Sequence, residues 1–174
     1  VHRQVDDQAH HDGGLGGQVN DADAADLDQA HGRIHGPCHK AAMPPLAPGQ
    51  VRFQVERFAL TANTVTYATT GDLLGYWDFF PTGEPGWGCV PAMGWAELVE
   101  SRHPDVLTGG RYYGWYPMAR YVDMTVTPTS EGLRDEGPHR AAHAPVYRAY
   151  TVTTRDMLYQ AGTDAEDRHA LLRG

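Results

Sequence analysis

Apolar and polar positions fall into a regular pattern only from residue 49 onward. Val51, Phe53 and Val55 alternate with Arg52, Gln54 and Glu56, the period of a half-buried strand. Phe58 follows Arg57 directly, so the alternation slips phase and predicts a bulge or a strand end there. A first strand is expected over 49–59, and further strands over 92–101, 111–116, 119–127 and 147–153. Gly- and Pro-rich turns separate them at 81–86, Gly109-Gly110 and 131–138. Helical stretches are few: 73–79, and a C-terminal segment from Thr154 with 164–172 after a break at Gly162. Short strands at this spacing predict a mainly β fold with a barrel or sandwich core.

Residues 1–48 are different in kind. The 17 aromatic residues all lie between Phe53 and Tyr159, and aromatic side chains carry much of the area a core buries. The segment is rich in Gly, Asp, Ala and His, with little to offset the entropy of folding. It is therefore expected to be a disordered or non-native tail on a domain spanning 49–174. It begins with Val, and runs such as Gly13-Gly14-Leu15-Gly16-Gly17 follow no period, which suggests a mis-set start or an out-of-frame translation. At the other end Leu171-Leu172-Arg173-Gly174 stops inside a helical pattern, as a truncated domain would. Truncation predicts uncovered apolar surface near 119–127 and 158–172, and hence self-association.

Length and charge narrow the function. A chain of 174 residues has room for one domain, or one domain and a tail. Its net charge is −8, contributed equally by 1–48 and 49–174, so a phosphate-tracking basic surface and nucleic-acid binding are not expected. Only Cys38 and Cys89 are present, too few for a disulfide framework, and they point to a reducing, cytoplasmic setting. No stretch has the length of a membrane span or the apolar core of a secretory signal.

Candidate chemistry is sparse. His31, His35, Cys38 and His39 have metal-like spacing, but Gly32, Gly36 and Pro37 break any helix there, and a His-rich tail is the better account. Ser101, His103 and Asp105 have the residue types of a hydrolase triad, yet lie within five residues around Pro104 and read as a turn. Neither Gly14-Leu15-Gly16 nor Gly86-Trp87-Gly88 completes a dinucleotide fingerprint. The informative stretch is 59–68, followed by Gly71-Asp72 and Tyr76-Trp77-Asp78-Phe79-Phe80-Pro81. Small hydroxyl and amide side chains beside dense aromatics suit a pocket with an apolar wall and a few polar anchors. A packed aromatic core under a loop suits them equally.

The run 59–81, then Gly86-Trp87-Gly88 with Val90-Pro91 and Gly94-Trp95-Ala96-Glu97, then Tyr113-Gly114-Trp115-Tyr116-Pro117-Met118, resembles the bacterial family catalogued as domain of unknown function 2855. The likeness covers about 49–174. Members of that family in turn resemble medium-chain dehydrogenase/reductases, in which a GroES-like domain precedes a dinucleotide-binding domain. The resemblance implies a GroES-like, partly open barrel with short helices. It puts Ala59-Leu60 and Asn63 where zinc-independent quinone reductases carry an Ala-Leu-Asn stretch near the nicotinamide, and Gly109-Gly110-Arg111 where the superfamily has a Gly-Asp-Arg turn.

The departures matter as much. Zinc-dependent relatives need a Cys near 63 and Gly-His-Glu near 94, where this chain has Asn63-Thr64 and Gly94-Trp95-Ala96, so no zinc is expected. What the resemblance implies is metal-free hydride transfer from NAD(P)H to a small-molecule substrate in full-length relatives, with no tight cofactor binding by this chain alone. Tyr67 would donate a hydrogen bond to a carbonyl oxygen, Asn63 and Thr66 would hold the substrate or the cofactor amide, and Trp77, Phe79 and Phe80 would form the apolar wall. The alternative is a non-catalytic β-barrel module that binds a small apolar ligand or a partner protein.

Overall fold

Six antiparallel strands pair in the order β1-β2-β3-β6-β5-β4, and β4 returns to β1, closing a barrel. The strands are β1 Gln50–Phe58, β2 Pro91–Ser101, β3 Arg111–Pro117, β4 Tyr121–Pro128, β5 Gly132–Asp135 and β6 Ala149–Val152. Among the described residues three α-helices accompany them: α1 Ala62–Thr69, a single turn α2 Gly71–Leu74, and α3 Thr163–Arg173. This computed structural model describes residues 43–173. The expected tail and the His31, His35, Cys38, His39 group therefore lie wholly or mainly outside the described residues. The described part of 1–48 rests on the barrel: Leu46 is buried, and the Pro44 and Leu46 carbonyls accept from Arg52 and Arg102 at 2.6 and 2.8 Å. No helix among the described residues is long and apolar enough to cross a membrane.

The barrel interior is filled. Val51 and Phe53 from β1, Leu98 from β2, Tyr112 and Tyr116 from β3, Met124 and Val126 from β4, Leu133 from β5 and Tyr150 from β6 form one buried cluster. Phe53 meets Tyr112 edge-on at 5.4 Å and stacks on Tyr150 at 6.0 Å, while the Tyr150 hydroxyl donates to the Trp115 carbonyl at 2.6 Å. Closure depends on Gly94 and Gly114, paired across β2 and β3. A Cβ on Gly94 would lie 2.2 Å from the Arg57 carbonyl oxygen, and one on Gly114 would lie 2.4 Å from the Tyr150 ring.

Several sequence expectations need correction. The barrel is closed, not partly open, because β6 pairs with both β3 and β5. Strand β5 falls inside 131–138, where Gly and Pro read as a turn. The helix expected over 73–79 is instead α2 and a 3₁₀ turn at Tyr76–Asp78, separated by Gly75 at φ 72°. Residues 62–69, where no helix is expected, form α1 despite their β-branched Thr and Val, which disfavour helix; the Thr64 hydroxyl accepts the Thr61 N–H at 3.1 Å and starts the first turn. Strand β4 turns Met124 and Val126 inward, so 119–127 presents no continuous apolar face. The slip at Arg57 is real: Val55 pairs with Ala96 and Arg57 with Trp95, leaving Glu56 as the extra residue of a bulge.

Candidate functional site

Strand β3 alternates between the barrel interior and its outer wall. Tyr112 and Tyr116 point in, and Tyr113 and Trp115 point out, yet all four are buried, because the outer wall is itself covered. Over Trp115 lies an aromatic layer brought by α1, the 3₁₀ turn and the loop before β6: Tyr67 at 5.0 Å, Tyr147 at 5.0 Å and Phe79 at 5.9 Å between ring centres. Tyr67 also meets Tyr76 at 4.7 Å. Three phenols thus crowd one patch of wall.

Behind them sits a cation. Arg140 is fully buried, its guanidinium 4.2 Å over the Phe79 ring and 5.0 Å over Phe80. It donates to the Phe79 carbonyl at 3.1 Å and to the Tyr147 carbonyl, and stands 3.4 Å from the Asp135 carboxylate. Two fixed carbonyls tie the segment carrying Phe79 to the segment carrying Tyr147. His143 also meets the Phe79 ring, tilted, at 4.2 Å between ring centres.

Burial sets the protonation of this layer. It raises the Tyr67 pKa, with a smaller contribution from Tyr147. Burial and then a hydrogen bond with Tyr147 push Tyr76 up to about 12. Burial and the nearby Arg140 charge lower His143. At neutral pH Tyr67 and Tyr76 are neutral donors and the His143 imidazole is neutral. Cys89, a free thiol, is also pushed up by burial, which favours the unreactive thiol over the thiolate.

The sequence-predicted residues divide between this layer and its surroundings. Tyr67, Phe79 and Phe80 are in it, with Phe79 and Phe80 buried. Asn63 lies one turn before Tyr67 on α1, at an exposed position on the same side of the helix. Thr66 is exposed and its hydroxyl donates back to the Ala62 carbonyl at 3.3 Å. Trp77 turns elsewhere, into a slot where a Cβ on Gly71 or Gly88 would meet its ring at 2.2 or 2.5 Å. Sequence reading passed over Arg140 and His143, which lie in a Gly- and Pro-flanked stretch with no period, and took Tyr147 only as the first residue of a strand. Ser101, His103 and Asp105 do form a turn: Ser101 Oγ donates to the Val106 carbonyl at 2.6 Å, and the Asp105 N–H donates to His103 Nδ1 at 3.1 Å.

A nicotinamide dinucleotide fits these residues poorly at its phosphates. The first turn of α1 uses its own N–H groups, with the Thr64 N–H donating to the Thr61 carbonyl at 3.0 Å. The first turn of α3 carries Asp164 and Glu166, which repel a pyrophosphate. Among the described residues no three His, Cys, Asp or Glu side chains gather in metal-binding geometry.

The family profile described as protein of unknown function (DUF2855) matches residues 58–174, and the chain belongs to that family. No curated protein and no solved structure matches it.

Proposed function

We propose that this member of the DUF2855 family is the substrate-side barrel domain of a metal-independent, nicotinamide-dependent reductase-like protein. The reading includes the GroES-like kinship that the sequence motifs suggest. The observation that carries it is Tyr67: a neutral phenol on α1, seated on a rigid aromatic wall, with Asn63 one turn away. A neutral phenol is a suitable donor to a carbonyl oxygen that gains negative charge. Asn63 and Thr66 border it on α1, and Trp77, Phe79 and Phe80 supply the apolar setting. In this reading NAD(P)H would supply the hydride, with its phosphates held by residues other than those described.

Acetophenone tests the carbonyl side directly. With tyrosine ring carbons labelled, it should shift the Tyr67 Cζ resonance saturably, and Tyr67→Phe should weaken binding about tenfold, the worth of one hydrogen bond of about 1.4 kcal/mol. A Tyr67 signal that stays still at millimolar acetophenone ends the proposal.

A second reading, a non-catalytic module that docks a partner protein or a small apolar ligand, draws on the exposed apolar positions Val65, Leu73 and Leu74 of α1 and α2. Leu73 is 81 % exposed. Light scattering that shows self-association abolished by Leu73→Ser with Leu74→Ser favours it; a monomer at all concentrations removes its self-associating form.

A further inference from the structure

Helix α3 presents Ala165, Arg168, His169 and Leu172 at i, i+3, i+4 and i+7, a single face. That face lines a groove of about 290 Å³ together with Leu158 and Arg173. Its apolar wall is Leu158, Ala165 and Leu172, and its charged side chains are two guanidiniums.

The balance of donors and acceptors here is one-sided. The carboxylate beneath the groove, Asp156, is already committed: Oδ1 accepts from the Leu158 N–H at 3.0 Å and Oδ2 from Arg173 Nη1 at 2.9 Å, with His169 Nε2 3.6 Å away. Arg168 has no ion pair or hydrogen bond among the described residues. Asp164, one turn earlier, does not reach it, and Asp167 is paired with Arg57 at 2.9 Å. Under His169 two further donors lack acceptors among the described residues: Trp95 Nε1 and the Tyr113 hydroxyl are buried and unpartnered, their rings 5.1 and 4.9 Å from the imidazole. Buried donors of this kind are rarely left unmatched.

An anionic acceptor with an apolar body answers the unpaired Arg168 and the apolar wall of the groove, whereas Trp95 Nε1 and the Tyr113 hydroxyl lie beneath it and do not line it. We propose that this groove binds a small monocarboxylate with a short apolar tail, its carboxylate on Arg168 and the His169–Arg173 edge and its tail against Leu158, Ala165 and Leu172. A phosphate would bring more charge close to Asp156 and Asp164 and would leave the leucines in water; Leu172 is 86 % exposed. The groove lies over the outer wall at Trp95 and Tyr113, and its occupancy is independent of any carbonyl chemistry at Tyr67.

The test uses the ¹⁵N-labelled chain with hexanoate, acetate and hexanamide. Hexanoate should shift the Trp95 indole N–H and the α3 amides saturably. Arg168→Gln should raise its Kd at least tenfold, and Leu172→Ser several-fold; both positions are exposed, so the fold is spared. Acetate and hexanamide at the same concentrations should give no saturable shift. Hexanamide saturating like hexanoate, acetate matching hexanoate, an unchanged Kd in Arg168→Gln, or no saturation at all each overturns the proposal.

Discussion

The guanidinium of Arg140 lies 4.2 Å over the ring of Phe79, and both side chains are buried. The stacking is a cation–π contact in a desolvated setting, and Asp135 supplies the countercharge at 3.4 Å. Burial lowers the Arg140 pKa, with a smaller contribution from the Arg148 charge, opposed by Tyr150 and Asp135. Arg140→Leu would leave the Asp135 carboxylate buried without its cation and free two carbonyls, at a cost of about 3–5 kcal/mol. Adding Asp135→Asn, which still accepts the Gly137 N–H that Asp135 now accepts at 2.8 Å, should recover part of it. Urea unfolding of the two variants measures both; a loss below about 1 kcal/mol for Arg140→Leu contradicts the account.

At Gly94, β2 lies directly against the backbone of β1. A methyl group there would meet backbone, the Arg57 carbonyl oxygen at 2.2 Å and the Phe58 Cα at 2.9 Å, and no side-chain rotation relieves it. Gly94→Ala should cost about 1–3 kcal/mol or more, lowering Tm by several degrees at about 4 °C per kcal/mol. A thermal melt within one degree of the parent would show that the bulge at Glu56 yields freely.

How much of this could be seen in the sequence follows from what each residue depends on. The alternation Val51, Phe53, Val55 needs only local pleating, so β1 and its bulge were legible. Strand β5 was not, because Gly132–Asp135 pairs with residues of β6 up to 19 positions later and carries only one large apolar side chain, Leu133. Helix α1 was hidden by Thr and Val, whose low propensity was outweighed by packing of Tyr67 on Trp115. Tyr67, Phe79 and Phe80 were legible as one aromatic group by nearness in sequence. Arg140 and His143 reach that group only through the fold, and no spacing announces a cation buried over Phe79 from 61 residues away.

His143 gives the stability a pH dependence of known sign. Its folded pKa lies below the ordinary value of 6.5, chiefly through burial and next through Arg140, while Asp78 and Gly75 oppose. The unfolded chain therefore takes up the proton first as pH falls, and the stability held above about 6.5 is lost progressively toward the folded value. Glu136, lowered chiefly by its hydrogen bond from Arg134, adds a similar loss only below 4.5. Urea midpoints should fall between pH 7.5 and 5.5 in the parent and change less in His143→Gln. Equal slopes would assign the acid sensitivity to other groups.

Helix α3 is held to the barrel more by charge than by apolar area. Of its eleven residues only Glu166 and Ala170 are buried. The Glu166 carboxylate accepts from Arg111 Nη1, from Arg57 Nη1 at 3.2 Å and from the Tyr159 hydroxyl at 2.7 Å, joining α3 to β1, to β3 and to the loop between β6 and α3. Arg111 also pairs with Glu56 at 2.6 Å and Arg57 with Asp167 at 2.9 Å, so removing Glu166 takes away the one carboxylate shared by both guanidiniums and leaves each with a single partner. Losing a buried carboxylate that accepts three hydrogen bonds costs about 3 kcal/mol, but the barrel closes without α3, so the loss should be local. In Glu166→Ala, amide exchange over 163–173 should speed up by roughly 100-fold or more, following about 1.4 kcal/mol per factor of ten. Exchange in β1 to β3 should stay within a few-fold of the parent. Because the network is covered, 0.5 M salt should loosen α3 in the parent far less than the mutation does. Strand exchange rising in step with the helix would mean that α3 is part of the barrel's cooperative unit, and the latch would then be a keystone of the whole fold.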